Sequence, residues 1–281
     1  MINPWLERRS MHYAHRGGAL EAPSSTLFAM DRAVELGIPG LELDLHCSKD
    51  GVIVVLHDNE VDRTTPGDGK VSELGIRELS VLDNAYWFVP DSGEYCSVGR
   101  RSSEYLYRGR WPLDRRFGVA TFREVLERYP NTIINVDIKA APANSEPYEA
   151  QVVSEILGAG AKDRVIVASF RDSSLFAVRK INPEVFTSAG PGEISEFYFA
   201  LITDFKQAVA IANASPYVAF QIPRFYGEIE LATEEFIEAA HEGGKAVHVW
   251  TINERDEMDL LIERGADGLI TDRPSLLKEL I

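Results

Sequence analysis

Short apolar runs alternate along this chain with longer stretches in which apolar residues recur every three or four positions. The short runs, rich in β-branched residues, predict strands over residues 11–15, 41–45, 52–56, 132–138, 165–170, 185–188, 218–222, 246–251 and 268–271. The periodic stretches predict helices over 25–36, from near Thr121 past Leu126, and over 147–157, 175–181, 193–213, 233–242 and 254–264, with a short closing helix from Arg273. Boundary chemistry agrees: Pro23 and two serines precede the first long helix, and Gly37 follows it. Strands alternating with helices of this length read as βαβ units around a parallel sheet.

Nine strand candidates are one more than a (β/α)8 barrel holds. The connection from 46 to 51 contains the turn signal Lys49-Asp50-Gly51 and is shorter than the roughly dozen residues of a parallel crossover. Residues 52–56 are therefore expected to return antiparallel to 41–45, as a hairpin above the barrel mouth that brings His57 near Asp44. The expected fold is α/β, a TIM-type barrel forming a single domain over 1–281. Residues 59–116 break the rhythm and hold Tyr86, Trp87, Phe88, Tyr95, Tyr105, Tyr107, Trp111 and six arginines between Arg100 and Arg116. A structureless loop of that length is unusual, so the segment reads as a small insertion over one face of the barrel.

Composition narrows the partners. With 44 acidic residues against 29 basic ones in 281, the net charge is −15, which argues against non-specific binding to nucleic acid or to an anionic membrane. No stretch approaches the ~20 apolar residues of a membrane span, and the first ten residues lack the apolar core of a signal peptide. Cys47 and Cys96 are the only cysteines and read as free thiols, so the expected location is the cytoplasm.

Polar clusters end several predicted strands: His15-Arg16-Gly17-Gly18, Glu42-Leu43-Asp44, His57-Asp58 and Asp137-Ile138-Lys139. In a (β/α)8 barrel the C-terminal strand ends converge on one rim, where catalytic groups sit. Residues two apart on a strand point the same way, so Glu42 and Asp44 form one pair and Asp137 and Lys139 another. Carboxylates aimed together repel unless a cation neutralises them, and oxygen ligands suit Mg²⁺ or Ca²⁺. Each cluster alone has a bland reading: solvated carboxylates, a structural histidine, Asp58 capping the next turn, Asp137 and Lys139 as a surface ion pair. Their coincidence on one rim favours a site.

The set AHRGG, ELDL, DGVIVVLHD, a DIK strand and a closing GLITDRP resembles the glycerophosphodiester phosphodiesterase family, over about His12 to Pro274. The resemblance implies a metal-dependent TIM-barrel hydrolase that cleaves glycerophosphodiesters to sn-glycerol 3-phosphate and an alcohol. It implies Glu42, Asp44 and Asp137 as ligands of a divalent ion, Mg²⁺ or Ca²⁺, and His15 and His57 as the acid–base pair. It also implies that Arg16 and Lys139 face the phosphate and that Trp250 borders the substrate. Asp137 stands where many members carry Glu, and Pro23-Ser24-Ser25-Thr26 stands where they often carry Pro-Glu-Asn-Thr.

The chemistry is coherent. Cleaving an anionic diester needs charge neutralisation and two proton transfers. Arg16 offers a planar fork, Lys139 a point charge, and two imidazoles titrate near neutrality. The expected partner is a small glycerophosphodiester or a lysophospholipid. The alternatives are a lysophospholipase D-type or cyclising lipid phosphodiesterase on the same residues, or a phospho-ligand binder without turnover. The aromatics of the 59–116 segment have two readings: its own small core, or, through Trp87, Phe88 and Tyr107, a wall for the leaving alcohol. Asp272 reads as the cap of the last helix, and His12, His46, His241 and His248 as structural.

Overall fold

The computed structural model describes residues 3–7, 11–141 and 146–280. Its strands are β1 (Tyr13–His15), β2 (Gly40–Cys47), β3 (Ile53–Val55), β4 (Ala120–Thr121), β5 (Ile133–Ile138), β6 (Val165–Ala168), β7 (Ala219–Pro223), β8 (Phe225–Tyr226), β9 (Ile229–Glu230), β10 (Ala246–Trp250) and β11 (Gly268–Thr271). Parallel pairing runs β7–β10–β11–β1–β2–β5–β6. The space between β6 and β7 is closed by Thr187, which bridges Val167, and Ser188, which bridges Ala219. The Ser188 N–H donates to Val167 O at 2.9 Å and the Val218 N–H to Thr187 O at 3.0 Å. The ring is thus a closed barrel with eight parallel staves, one of them only two bridging residues long.

Strand alternation sorts the side chains. Leu41, Leu43, Leu45, Ile134, Val136 and Ile138 pack with helical residues such as Met30, Leu126 and Val152 in one apolar layer outside the barrel. Phe220, Val247 and Val249 join Phe197, Phe236 and Met258 in a second layer. Each such fully buried side chain contributes about 1.5–3 kcal/mol. Inside the barrel, Tyr13, Ile166, Ala219, Ala246 and Ile270 cluster with Trp5. The short helix Pro4–Glu7 closes the floor: Trp5 is fully buried, edge-on to Phe186 at 6.1 Å and to His248 at 6.5 Å. Asn3 fastens it by donating to Val218 O at 2.6 Å and Gly244 O at 2.9 Å.

The expected hairpin is present, with Leu45, His46 and Cys47 of β2 antiparallel to Val55, Val54 and Ile53 of β3. The expected helix over 193–213 is two helices, Pro191–Leu201 and Phe205–Ala214. They are separated by Asp204, whose side chain accepts from the Lys206 N–H at 2.9 Å and so starts the second. Residues 59–118 contain single helical turns at Val71–Glu73, Ile76–Leu79 and Ser102–Glu104. Arg108 lies against the rings of Tyr105, Tyr86 and Trp87 at 3.4, 4.2 and 4.8 Å, and Tyr107 stacks on Phe117 at 5.5 Å. Cys47 and Cys96 are unpaired, and no helix among the described residues is long and apolar enough to cross a membrane.

Candidate active site

A cavity of about 510 Å³ opens at the C-terminal ends of the strands. His15, Arg16, Glu42, Asp44, His57, Asp137, Lys139 and Trp250 all line it. Sheet register explains the convergence. Pairing of β1 with β2 sets His15 opposite Glu42, and pairing of β2 with β5 sets Glu42 opposite Asn135 and Asp44 opposite Asp137. Polar side chains of three neighbouring staves therefore point into one mouth, and His57 reaches it as the residue that follows the returning hairpin.

The turn after β1 is tightly built. Arg16 has φ of 53°, and its backbone N–H donates to Glu42 O at 2.9 Å. A Cβ on Gly17 would lie 2.7 Å from the Ala29 side chain, and one on Gly18 would lie 2.6 Å from the Pro274 ring. Two glycines are thus needed for the turn to nestle between the helix Leu27–Glu35 and the chain after β11. This fixes where the Arg16 side chain begins.

Each histidine is held by a carboxylate. His15 Nδ1 lies 2.7 Å from Asp272 Oδ1, and its Nε2 faces Glu42 Oε2 at 3.6 Å. The other oxygen of Asp272 accepts from Tyr95 Oη at 2.8 Å and from Asn253 Nδ2 at 2.9 Å, so this buried carboxylate is locked in one orientation. Burial alone would lower the His15 pKa, but the charges of Glu42 and Asp272 raise it above the ordinary value. His57 Nδ1 lies 2.5 Å from Asp58 Oδ1, and Arg63 holds the second oxygen of Asp58. Despite partial burial, those two partners keep the Asp58 carboxyl well below the usual range. His46 braces the same turn, its Nε2 3.1 Å from the His57 carbonyl oxygen.

Asp44 is the hub of the charged side. Lys139 Nζ lies 2.6 Å from Asp44 Oδ1 and 2.6 Å from Asp137 Oδ2, and Arg16 Nε lies 3.0 Å from Asp44 Oδ2. Burial opposes ionisation of Asp44, yet Lys139 and Arg16 hold its pKa below the ordinary value. Glu42 is pushed up to about 7 by burial and then by the Asp44 charge. Asp137 is raised as well, chiefly by burial, with Lys139 working in the opposite direction. Lys139 is desolvated but is held well above its ordinary value by the two aspartates.

Among the described residues, no three His, Cys, Asp or Glu side chains stand as a ready-made cation cage. The expected set of Glu42, Asp44 and Asp137 is brought to one mouth, but the Lys139 ammonium sits between the two aspartates. The residues nevertheless fit an oxygen-seeking ion. Asp137 Oδ1 is buried without a hydrogen-bond partner, and so is Asn135 Oδ1 on the facing stave. An ion taking up those oxygens would require Lys139 to swing toward the anion that comes with it.

Some sequence readings change. Asp272 does not cap the last helix, Pro274–Lys278; no side chain caps it, and the Asp272 carboxylate serves His15 instead. Asp58 likewise partners His57 rather than capping a turn. Trp87, Phe88 and Tyr107 do not line the cavity, because they pack within their own segment and on Phe28. The arginines from Arg100 to Arg116 are also absent from its lining and are engaged elsewhere, as in the pairing of Arg116 with Asp114 and Asp31. The wall opposite the carboxylates is instead made by Phe170, Pro191, Ile194, Tyr198, Phe199, Tyr226, Ile229 and Leu231. The sequence offered one signal for it: the helix Pro191–Leu201 is apolar on more than its core face.

The glycerophosphoryl diester phosphodiesterase family matches residues 15–276. This chain belongs to that family. It is 30% identical over 276 residues to a glycerophosphodiester phosphodiesterase of Caldanaerobacter subterraneus, covering 97% of this chain and 98% of the relative. The fold is shared with the glycerophosphoryl diester phosphodiesterase domain of a Mycobacterium tuberculosis protein, with a TM-score of 0.77 at 18% identity, over 97% of this chain and 99% of that one. It is shared too with an Oleispira antarctica phosphodiesterase solved with sn-glycerol-3-phosphate, with a TM-score of 0.69 at 20% identity, over 98% of each chain.

Proposed function

We propose that the protein hydrolyses glycerophosphodiesters to sn-glycerol 3-phosphate and an alcohol, with His15 and His57 as its proton-transfer groups. The observation that carries this reading is the pair of imidazoles, each fixed at Nδ1 by a carboxylate, lining the cavity that also holds Arg16 and Lys139. A binder needs the cations but not two oriented imidazoles.

The residues divide the work. Asp272 and Asp58 accept from the Nδ1 side, which leaves each Nε2 as the working nitrogen. One imidazole takes the proton of the attacking hydroxyl, and the other delivers a proton to the departing alkoxide. Arg16 and Lys139 give the phosphoryl oxygens a planar fork and a point charge. Both cations are desolvated by the barrel wall, which strengthens their pull on charge that builds up during the reaction. Glu42, Asp44 and Asp137 would hold a divalent ion, Mg²⁺ or Ca²⁺, which supplies further charge neutralisation and Lewis acidity when bound.

The test is turnover of glycerophosphocholine with Mg²⁺, with Ca²⁺ and with EDTA, the products being read by phosphorus NMR. Glycerol 3-phosphate formed only with the metal is the expected result. Activity that survives EDTA, or that persists in both His15→Ala and His57→Ala, would overturn the mechanism.

A further inference from the structure

The cavity has two dissimilar walls. All seven of its ionisable lining residues, from His15 to Lys139, come from β1, β2, β5 and the His57 turn. Every lining residue from Ala168 onward is uncharged. On that side Phe170, Phe199 and Tyr226 are 66%, 64% and 72% exposed, an unusual concentration of open aromatic surface at one rim. Phe170 joins the two walls: it meets Trp250 edge-on at 5.6 Å, and Lys139 Nζ lies 5.9 Å from its ring.

Taking the proposed phosphodiester site as given, we propose that this uncharged wall is a subsite for a single alkyl or acyl chain carried by the phosphodiester. The charge distribution supports it, because a polyol or amino-alcohol group would leave its donors unmatched by any carboxylate on this side. Aromatic rings alone would also suit a quaternary ammonium. Yet Ile194, Ile229 and Leu231 extend the wall with aliphatic surface that offers a cation nothing, and Ile229 carries it to solvent on the β8–β9 hairpin. The occupant that matches both the apolar wall and its open end is a hydrocarbon chain running from the phosphate toward the rim.

The test is binding rather than turnover. Calorimetry with hexyl-, octyl- and decylphosphocholine, each below its micelle-forming concentration, should show affinity rising with chain length, by up to about fourfold per methylene at full burial. Phe199→Ser and Tyr226→Ser should flatten that slope, each reducing the decyl-to-hexyl affinity ratio several-fold. Equal affinities along the series, or equal losses for all three ligands in both variants, would overturn the chain subsite and point to the choline group instead. Glycerophosphocholine turnover is read separately. Its failure with the chain-length slope intact would sink the hydrolase reading and leave the subsite standing, whereas turnover with no slope would do the reverse.

Discussion

The two ends of the barrel treat buried polar groups in opposite ways. At the mouth, Asp44, Glu42, Asp137, Lys139 and Arg16 are buried as charges and hold one another in place. At the floor, His12 and His248 are buried without ionic partners, and burial lowers each to about 4, so both stay neutral at physiological pH. Their nitrogens are used as neutral groups: the Leu269 N–H donates to His12 Nδ1 at 3.2 Å, and His248 Nδ1 lies 3.3 Å from Gln221 Nε2. Desolvated charges are costly and persist where they have a task; neutral polar groups with partners are a tolerable part of a core. The mouth is therefore expected to carry activity and the floor stability.

The comparison is broken most directly at its extremes. His57→Ala at the mouth should lower kcat/KM on glycerophosphocholine by about 10²–10⁴ while leaving the urea midpoint nearly unmoved, since the ring is one-third exposed at 34%. Trp5→Ala at the floor should do the opposite. Removing a fully buried indole costs about 3–5 kcal/mol of stability, with kcat/KM retained wherever the protein remains folded. A collapse of stability in the first variant, or of activity in the folded form of the second, would end the division.

The sequence showed most of this plan where the determining interactions are local or periodic. Strand alternation, the Asp50–Gly51 turn and the two-residue spacings put Glu42, Asp44, Asp137 and Lys139 in one mouth. It failed where a partner comes from far along the chain. Asp272 precedes Arg273-Pro274 and so looks like a helix cap, but its actual partner, His15, is 257 residues away and meets it because β11 pairs with β1. Tyr95, 177 residues from Asp272, was unreadable for the same reason. The aromatics of the 59–118 segment were legible as a set but not in direction; tertiary packing turned Trp87 and Tyr107 inward and left the substrate wall to Phe170, Phe199 and Tyr226.

Asp272 gives an intermediate test, because it belongs to the mouth yet touches no substrate group. Asp272→Asn keeps the shape and the partners Tyr95 and Asn253 but removes the charge that fixes the His15 ring. Loss of the correct tautomer should lower kcat by roughly 100-fold or more with little change in KM. If KM rises and kcat holds, Asp272 shapes the cavity rather than orienting the histidine.

The smallest expected effect sharpens the floor. A histidine whose folded value is depressed binds its proton in the unfolded chain first, so stability is lost as pH falls from about 6.5 toward 4. For a shift from 6.5 to about 4, the loss between pH 6.5 and 5.5 is about 1 kcal/mol per histidine. His248→Gln removes one such group, so its stability, whatever its absolute value, should decline less steeply than wild type over that interval. The difference in slope, measured by urea unfolding at each pH, reads the buried neutral ring directly. Equal slopes would mean that the floor histidine is not held neutral, and the contrast with the charged mouth would lose its physical basis.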